Sequence, residues 1–112
     1  AGVGHIYRAE VLFRHNISPS RPGKHLSRNE FDAVWDDLVV LMTQGTKRGR
    51  IDTVRPEHLP DIMGRKPRQD RHGGEVYVYR RAGDACYLCE AEIEMNQMQA
   101  RKVYWCPVCQ PE

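Results

Sequence analysis

The hydrophobic positions of this chain fall into one strongly periodic stretch, one weaker one, and a long tract without a period. Phe31, Val34, Trp35, Leu38, Val39 and Met42 recur at i, i+3, i+4, i+7, i+8 and i+11, the stripe of a helix face that packs on a core. Its start is marked by Ser27-Arg-Asn-Glu30, a capping box in which each side chain reaches the other's free backbone N–H. Leu26 and Phe31 stand at the positions of a hydrophobic staple, and Gly45 is the expected stop. Upstream, a Gly2-Val-Gly4 turn feeds a shorter helix from His5 to His15. There Ile6, Ala9, Leu12 and Phe13 share a face, with Arg8, Glu10 and Arg14 between them. Asn16 closes that helix and Pro19 prevents its continuation. Ser18 to His25, with Pro19, Pro22 and Gly23, reads as a connector holding two turns.

From Thr46 to Gly74 repeated Pro and Gly break every period, which predicts a long loop of the kind that is functional or disordered. Glu75 to Arg80 then alternates, Val76 and Val78 against Tyr77 and Tyr79, as a strand does. Two further short strands are expected at Ala91 to Met95 and Lys102 to Trp105. Phe13, Phe31 and Trp35 are expected in the core.

Composition adds limits. With 112 residues, 40% of them hydrophobic and 29% charged, the chain is one ordinary domain or two small subdomains, and it is not disordered. No apolar run approaches the roughly 20 residues of a membrane span, and no secretory segment opens the chain, so the expected location is the cytoplasm. The chain opens on Ala1 within a motif, as part of a longer protein would. Net charge is only +2, but its distribution is uneven. Lys47 to Arg71 carries eight basic residues against four acids, whereas Phe31 to Gln44 carries Asp32, Asp36 and Asp37 and no base. One side would therefore face anions; the plainer reading is a solvated arginine-rich loop.

The cysteines carry the most specific signal. Cys86-x2-Cys89, sixteen residues, then Cys106-x2-Cys109 is the spacing of a four-cysteine zinc site. Each pair presents two thiolates from one tight knuckle, and two knuckles complete a tetrahedron. With four sulfurs as ligands no position remains for water or substrate, so one structural zinc ion is expected. Disulfides would suit a secreted miniprotein, and a redox dithiol would need only one pair. His5, His15, His25, His58 and His72 share no ligand spacing and read as surface or loop residues, with His5 the exception for its place at a helix start.

A glycine turn into a helix, a double turn, a capped helix, a basic loop and a four-cysteine hairpin form a specific order of parts. Residues 1–14 (AGVGHIYRAEVLFR), Val78-Tyr79 and residues 101–110 (RKVYWCPVCQ) resemble the C-terminal half of the formamidopyrimidine-DNA glycosylase and endonuclease VIII family; the long basic insert and the paired Val76-Tyr-Val-Tyr79 lean toward its actinobacterial endonuclease VIII-like members. The resemblance covers nearly the whole chain. It implies a mainly α fold with a small β zinc-ribbon hairpin. A helix-two-turn-helix subdomain would span 1–54, a basic loop 55–74 and a zinc-finger hairpin 75–112.

It also implies a role in base-excision repair: the intact protein would be a DNA glycosylase and abasic-site lyase acting on oxidised bases. This part would hold damaged double-stranded DNA as a monomer in the bacterial nucleoid, with no small-molecule cofactor. The family's catalytic N-terminal proline and adjacent glutamate have no counterpart here, so this chain alone is expected to bind without cutting. Residue by residue, the family's Gly-x-Gly-Asn turn on a phosphate maps to Gly2, Gly4 and His5, with histidine replacing asparagine. The family's finger arginine, also on phosphate, maps to Arg101. The alternative is a non-catalytic zinc-ribbon adapter for RNA or a protein partner, since zinc ribbons serve many functions.

Overall fold

The computed structural model describes residues 2–20, 26–66, 74–98 and 101–111. The expected turns at Pro22 and Gly23, the histidines at 25 and 72, and the basic residues at 68 and 71 lie outside these. Helix α1 (Gly2–Arg14) and helix α2 (Arg28–Arg48) pack on each other. A 3-10 turn (Pro56–His58) and a four-residue helix α3 (Pro60–Met63) follow. An antiparallel hairpin of β1 (Glu94–Met98) and β2 (Arg101–Trp105) lies within the cysteine segment, and α1 packs against β2. The chain is thus mostly helical with a two-stranded hairpin. Among the described residues no helix is long and apolar enough to cross a membrane.

The helix α1 begins at Gly2, so the glycine pair is the first turn of the helix rather than a turn before it. Its end is a Schellman motif. Asn16 adopts the left-handed conformation (φ 59°), its N–H donates to the Phe13 carbonyl, and the Ile17 N–H donates to the Leu12 carbonyl. Helix α2 opens with the expected capping box: the Glu30 N–H donates to Ser27 Oγ and the Ser27 N–H to Glu30 Oε1, both at 3.0 Å.

Its end differs from expectation. The helix runs through Gly45 and stops at Gly49, which is left-handed (φ 70°) and donates to the Gly45 carbonyl. Gly45 serves close approach instead. A Cβ there would lie 2.0 Å from the hydroxyl of Tyr7 on α1, so only glycine lets the two helices meet at this depth.

The buried face of α2 is also narrower than its stripe. Leu41 is buried, but Phe31 is 53% exposed and Trp35 56%, and Val39 and Met42 are exposed too. Periodicity marked an apolar face correctly and could not say whether anything covers it. Phe31 and Trp35 are therefore not core residues, whereas Phe13 is.

Among the described residues two clusters make the core. Ile6, Tyr7, Leu41, Ile51 and Val76 join α1 to α2. Phe13, Val54, Tyr77, Val78, Ile93 and Tyr104 join α1 to the hairpin and include Cys86 and Cys106. Phe13 stacks on Tyr77 with ring centroids 4.7 Å apart. Apolar burial of this kind supplies roughly 25 cal/mol per Å².

Glu75 to Arg80 forms no strand, because its backbone donors are taken by a side chain. Glu10, read as an outward polar residue of α1, is fully buried. Its Oε1 accepts from the Tyr77 N–H (2.5 Å) and its Oε2 from the Val78 and Tyr79 N–H groups (2.8 and 3.0 Å). The Thr53 hydroxyl donates to Oε1 at 2.5 Å. One carboxylate thus satisfies three consecutive amides that a ladder would otherwise have to pair.

Candidate metal centre and nucleic-acid interface

The two knuckles hang from opposite ends of one joint with α1. The segment leading to the first, residues 77–79, is pinned to α1 by Glu10. The second is tied to the α1 exit turn: Gln110, itself buried, donates from Nε2 to the Ile17 carbonyl (2.8 Å) and accepts at Oε1 from the Cys106 N–H (2.9 Å). Asn16 Nδ2 donates to the Cys109 carbonyl at 2.9 Å.

Within the knuckles, backbone N–H groups already point at sulfur. The Leu88 N–H lies 3.5 Å from Cys86 Sγ and the Cys109 N–H 3.4 Å from Cys106 Sγ. Glu90 turns the first knuckle in a left-handed conformation and donates to the Cys86 carbonyl. The hairpin strands themselves run three residues later than expected on the first side and begin one earlier on the second.

These constraints bring all four expected ligands together. The sulfurs of Cys86, Cys89, Cys106 and Cys109 lie within 4.8 Å of one another, with Cys89 and Cys106 at 3.4 Å and Cys86 and Cys109 at 3.9 Å. No pair is bonded as a disulfide. A tetrahedral thiolate site with bonds of about 2.3 Å needs sulfur separations of about 3.8 Å, which these two separations of 3.4 and 3.9 Å bracket. Four cysteines are therefore positioned to bind one metal ion. Burial and the neighbouring thiols push the Cys106 and Cys109 thiols above their ordinary range. Burial also pushes the Cys89 thiol up, but hydrogen bonds from the Ala91 backbone and the other cysteines outweigh it and hold that thiol low. A bound cation stabilises thiolates that the protein alone would leave protonated.

The other expected contact residues sit at element starts. Gly2 and Gly4 lie in the first turn of α1, where backbone N–H groups have no helical acceptor. Arg101 opens β2, paired in register with Met98. The side chains of His5 and Arg101 lie outside the described residues.

Charged residues that read as surface prove to be structural. Asp37 of α2 accepts from Arg14 Nε (2.9 Å) and Nη2 (3.1 Å) and sits 3.0 Å from His15 Nε2, while Arg14 Nη1 donates to the Thr53 carbonyl. His58 Nδ1 meets the Tyr77 hydroxyl at 2.7 Å. Sequence reading missed Glu10, Asn16 and Gln110 as organisers of the site. A glutamate among apolar neighbours at positions 9, 11, 12 and 13 was the one available hint.

Fold and site together define a helix-two-turn-helix domain carrying a four-cysteine finger. Residues 1–56 match the formamidopyrimidine-DNA glycosylase H2TH domain, and the chain belongs to that family. It is 50% identical over 113 residues to Endonuclease 8 1 of Mycobacterium tuberculosis, covering 98% of this chain and 40% of that protein. It is 37% identical over 109 residues to formamidopyrimidine-DNA glycosylase of an Exiguobacterium species, covering 97% and 38%.

Among solved structures, a Lactococcus lactis FPG mutant with Fapy-dG-containing DNA aligns with TM-score 0.71 at 27% identity, over 97% of this chain and 38% of that one. The wild-type Lactococcus lactis FPG with DNA containing an oxidised pyrimidine aligns with TM-score 0.69 at 25% identity, over 97% and 36%. The chain thus spans about 40% of the length of the curated relatives it matches. The likeness carried by residues 1–14 and 101–110 is borne out, and so is the endonuclease VIII-like lean.

Proposed function

We propose that this chain is the DNA-holding part of a base-excision-repair glycosylase and abasic-site lyase, and that it binds one structural zinc ion through Cys86, Cys89, Cys106 and Cys109. The observation that carries the zinc reading is the closed set of four sulfurs at tetrahedral spacing. Such a set leaves no open position for substrate, so the ion supplies stability and not chemistry. In this reading Gly2, Gly4, His5 and Arg101 contact phosphates of damaged duplex DNA, and the chain acts as a monomer in the cytoplasm.

Support for a shared phosphate grip comes from the joint between α1 and the second knuckle. Ile17 and Asn16 meet Gln110 and Cys109 at that joint. The α1 start lies one helix away, 13 residues at about 1.5 Å each, or roughly 20 Å. The β2 start lies five residues from Cys106 at about 3.3 Å each, or roughly 17 Å. Two arms of similar reach from one hinge, packed alongside each other, suit a clasp on one stretch of backbone. A helix N-terminus offers free donors and partial positive charge there, and a guanidinium offers bidentate contact.

The test is equilibrium binding of this chain, with its zinc content measured, to duplexes with and without an abasic analogue over a range of salt. Affinity should fall with salt, and Arg101→Ala should reduce the log–log slope by about 1. Absence of binding at low salt would overturn the DNA reading and favour a protein or RNA adapter. The chain alone should form no covalent adduct under borohydride on abasic DNA; an adduct would overturn the assignment of catalysis to the rest of the protein.

A further inference from the structure

Tyr87 follows directly on the ligand Cys86 and lies between two arginines. The Arg65 Cζ stands 3.6 Å from its ring centroid and the Arg81 Cζ 3.7 Å. Two guanidinium groups at that height cannot share a face, so the ring is clasped on both sides. Arg81 is buried and belongs to the knuckle region, donating to the Tyr77 carbonyl at 2.5 Å and to the Ala85 carbonyl. Arg65 belongs to the far side. It follows α3, donates to Glu75 Oε1 at 2.8 Å and to the His58 carbonyl at 3.1 Å, and its Nε is buried without a hydrogen-bond partner. The stack on Tyr87 therefore acts beside the ion pair with Glu75 and the bond to the His58 carbonyl in holding this guanidinium.

Among the described residues little else holds α3. Ile62 is 69% exposed, Leu59 and Met63 are exposed too, and the nearest other anchor is the His58–Tyr77 bond at the 3-10 turn. We propose that Arg65 and Tyr87 are positioning residues that dock the α3 segment onto the first metal knuckle, so that metal occupancy sets the placement of α3. The proposal rests on the metal reading above. Coupling of this kind is reciprocal: if the bound ion favours docking, docking tightens the ion by the same factor.

The experiment compares metal affinity, by competition with a chromogenic chelator, and amide exchange of the metal-loaded protein for wild type, Arg65→Met, Arg65→Lys and Tyr87→Phe. The amides of Met63, Gly64 and Arg65 report on the segment, since they donate to the Leu59 and Pro60 carbonyls. Arg65→Met should weaken metal binding about fivefold, about 1 kcal/mol at about 1.4 kcal/mol per tenfold. It should speed exchange at those amides while α1 amides stay protected. Arg65→Lys keeps the charge but loses the planar stack and should shift both readouts the same way, and it serves if the methionine variant does not fold. Tyr87→Phe keeps the ring and should match wild type. Wild-type affinity and exchange in both Arg65 variants would overturn the proposal, as would a Tyr87→Phe protein as labile as Arg65→Met. A wild-type protein that takes up no metal would instead overturn the zinc reading itself.

Discussion

Replacing Glu10 tests whether one buried carboxylate organises this fold. In Glu10→Gln the amide must turn its NH2 toward one pair of former donors. Turned toward Thr53, whose hydroxyl can rotate to accept, it leaves only the Tyr77 N–H facing another donor. The Val78 and Tyr79 N–H groups keep their acceptor. One orphaned buried donor costs about 1–3 kcal/mol. Glu10→Ala removes all three amide acceptors at once, leaves the Thr53 hydroxyl only its 3.4 Å contact with the Glu75 carbonyl, and opens a void in a fully buried site. Its cost should be about 3–5 kcal/mol, comparable to breaking a buried charge network and a large share of the 5–15 kcal/mol that about any domain possesses. The assay is urea unfolding with excess metal present, which keeps changes in metal loading out of the comparison. An alanine variant within about 1 kcal/mol of wild type would refute the reasoning, as would a glutamine variant costing as much as alanine.

Other expected outcomes follow from the same geometry. Asn16→Ala should cost about 1–2 kcal/mol, losing a left-handed-tolerant residue and the bond to Cys109, whereas Asn16→Gly should lose only the bond, about 1 kcal/mol; chemical denaturation separates them. Trp35→Ser should change the stability of this chain by less than about 0.5 kcal/mol, since the side chain is more than half exposed; thermal melts check this. Burial holds the Tyr7, Tyr77 and Tyr104 phenols above their ordinary range. Their contribution is fully present below the unfolded value of about 10 and is lost as pH rises through the folded values. Urea midpoints should therefore hold from about pH 7 to 9 and fall above about 10, with part of the tyrosinate absorbance appearing late. Stripping the ion with a chelator should raise exchange at the Cys86, Glu90 and Gln110 amides, which close the knuckles.

Signals in the sequence are legible where the chemistry is local. The Ser27–Glu30 box, the Asn16 stop and the four cysteines each depend on residues a few positions apart, and each appears where expected. The misreadings arose where a distant side chain decides. Gly45 looks like a helix stop until Tyr7 is known to lie against it. Residues 75–80 alternate like a strand, but Glu10, far upstream, takes their amides. Phe31 and Trp35 share a true helical stripe, and a period reports a face without reporting a neighbour. Asp37 and Arg14 are unremarkable charges in sequence and become partners only once α1 and α2 cross.

Cys86 and Cys106 belong to the second core cluster as well as to the four-sulfur set. Under the zinc reading, an empty site would strip walls from the interior that Phe13 and Tyr77 share, so loading and folding become a single event. Scarcity of the ion would then show up as fewer surviving copies of the protein, cleared by proteases, rather than as an idle but intact pool.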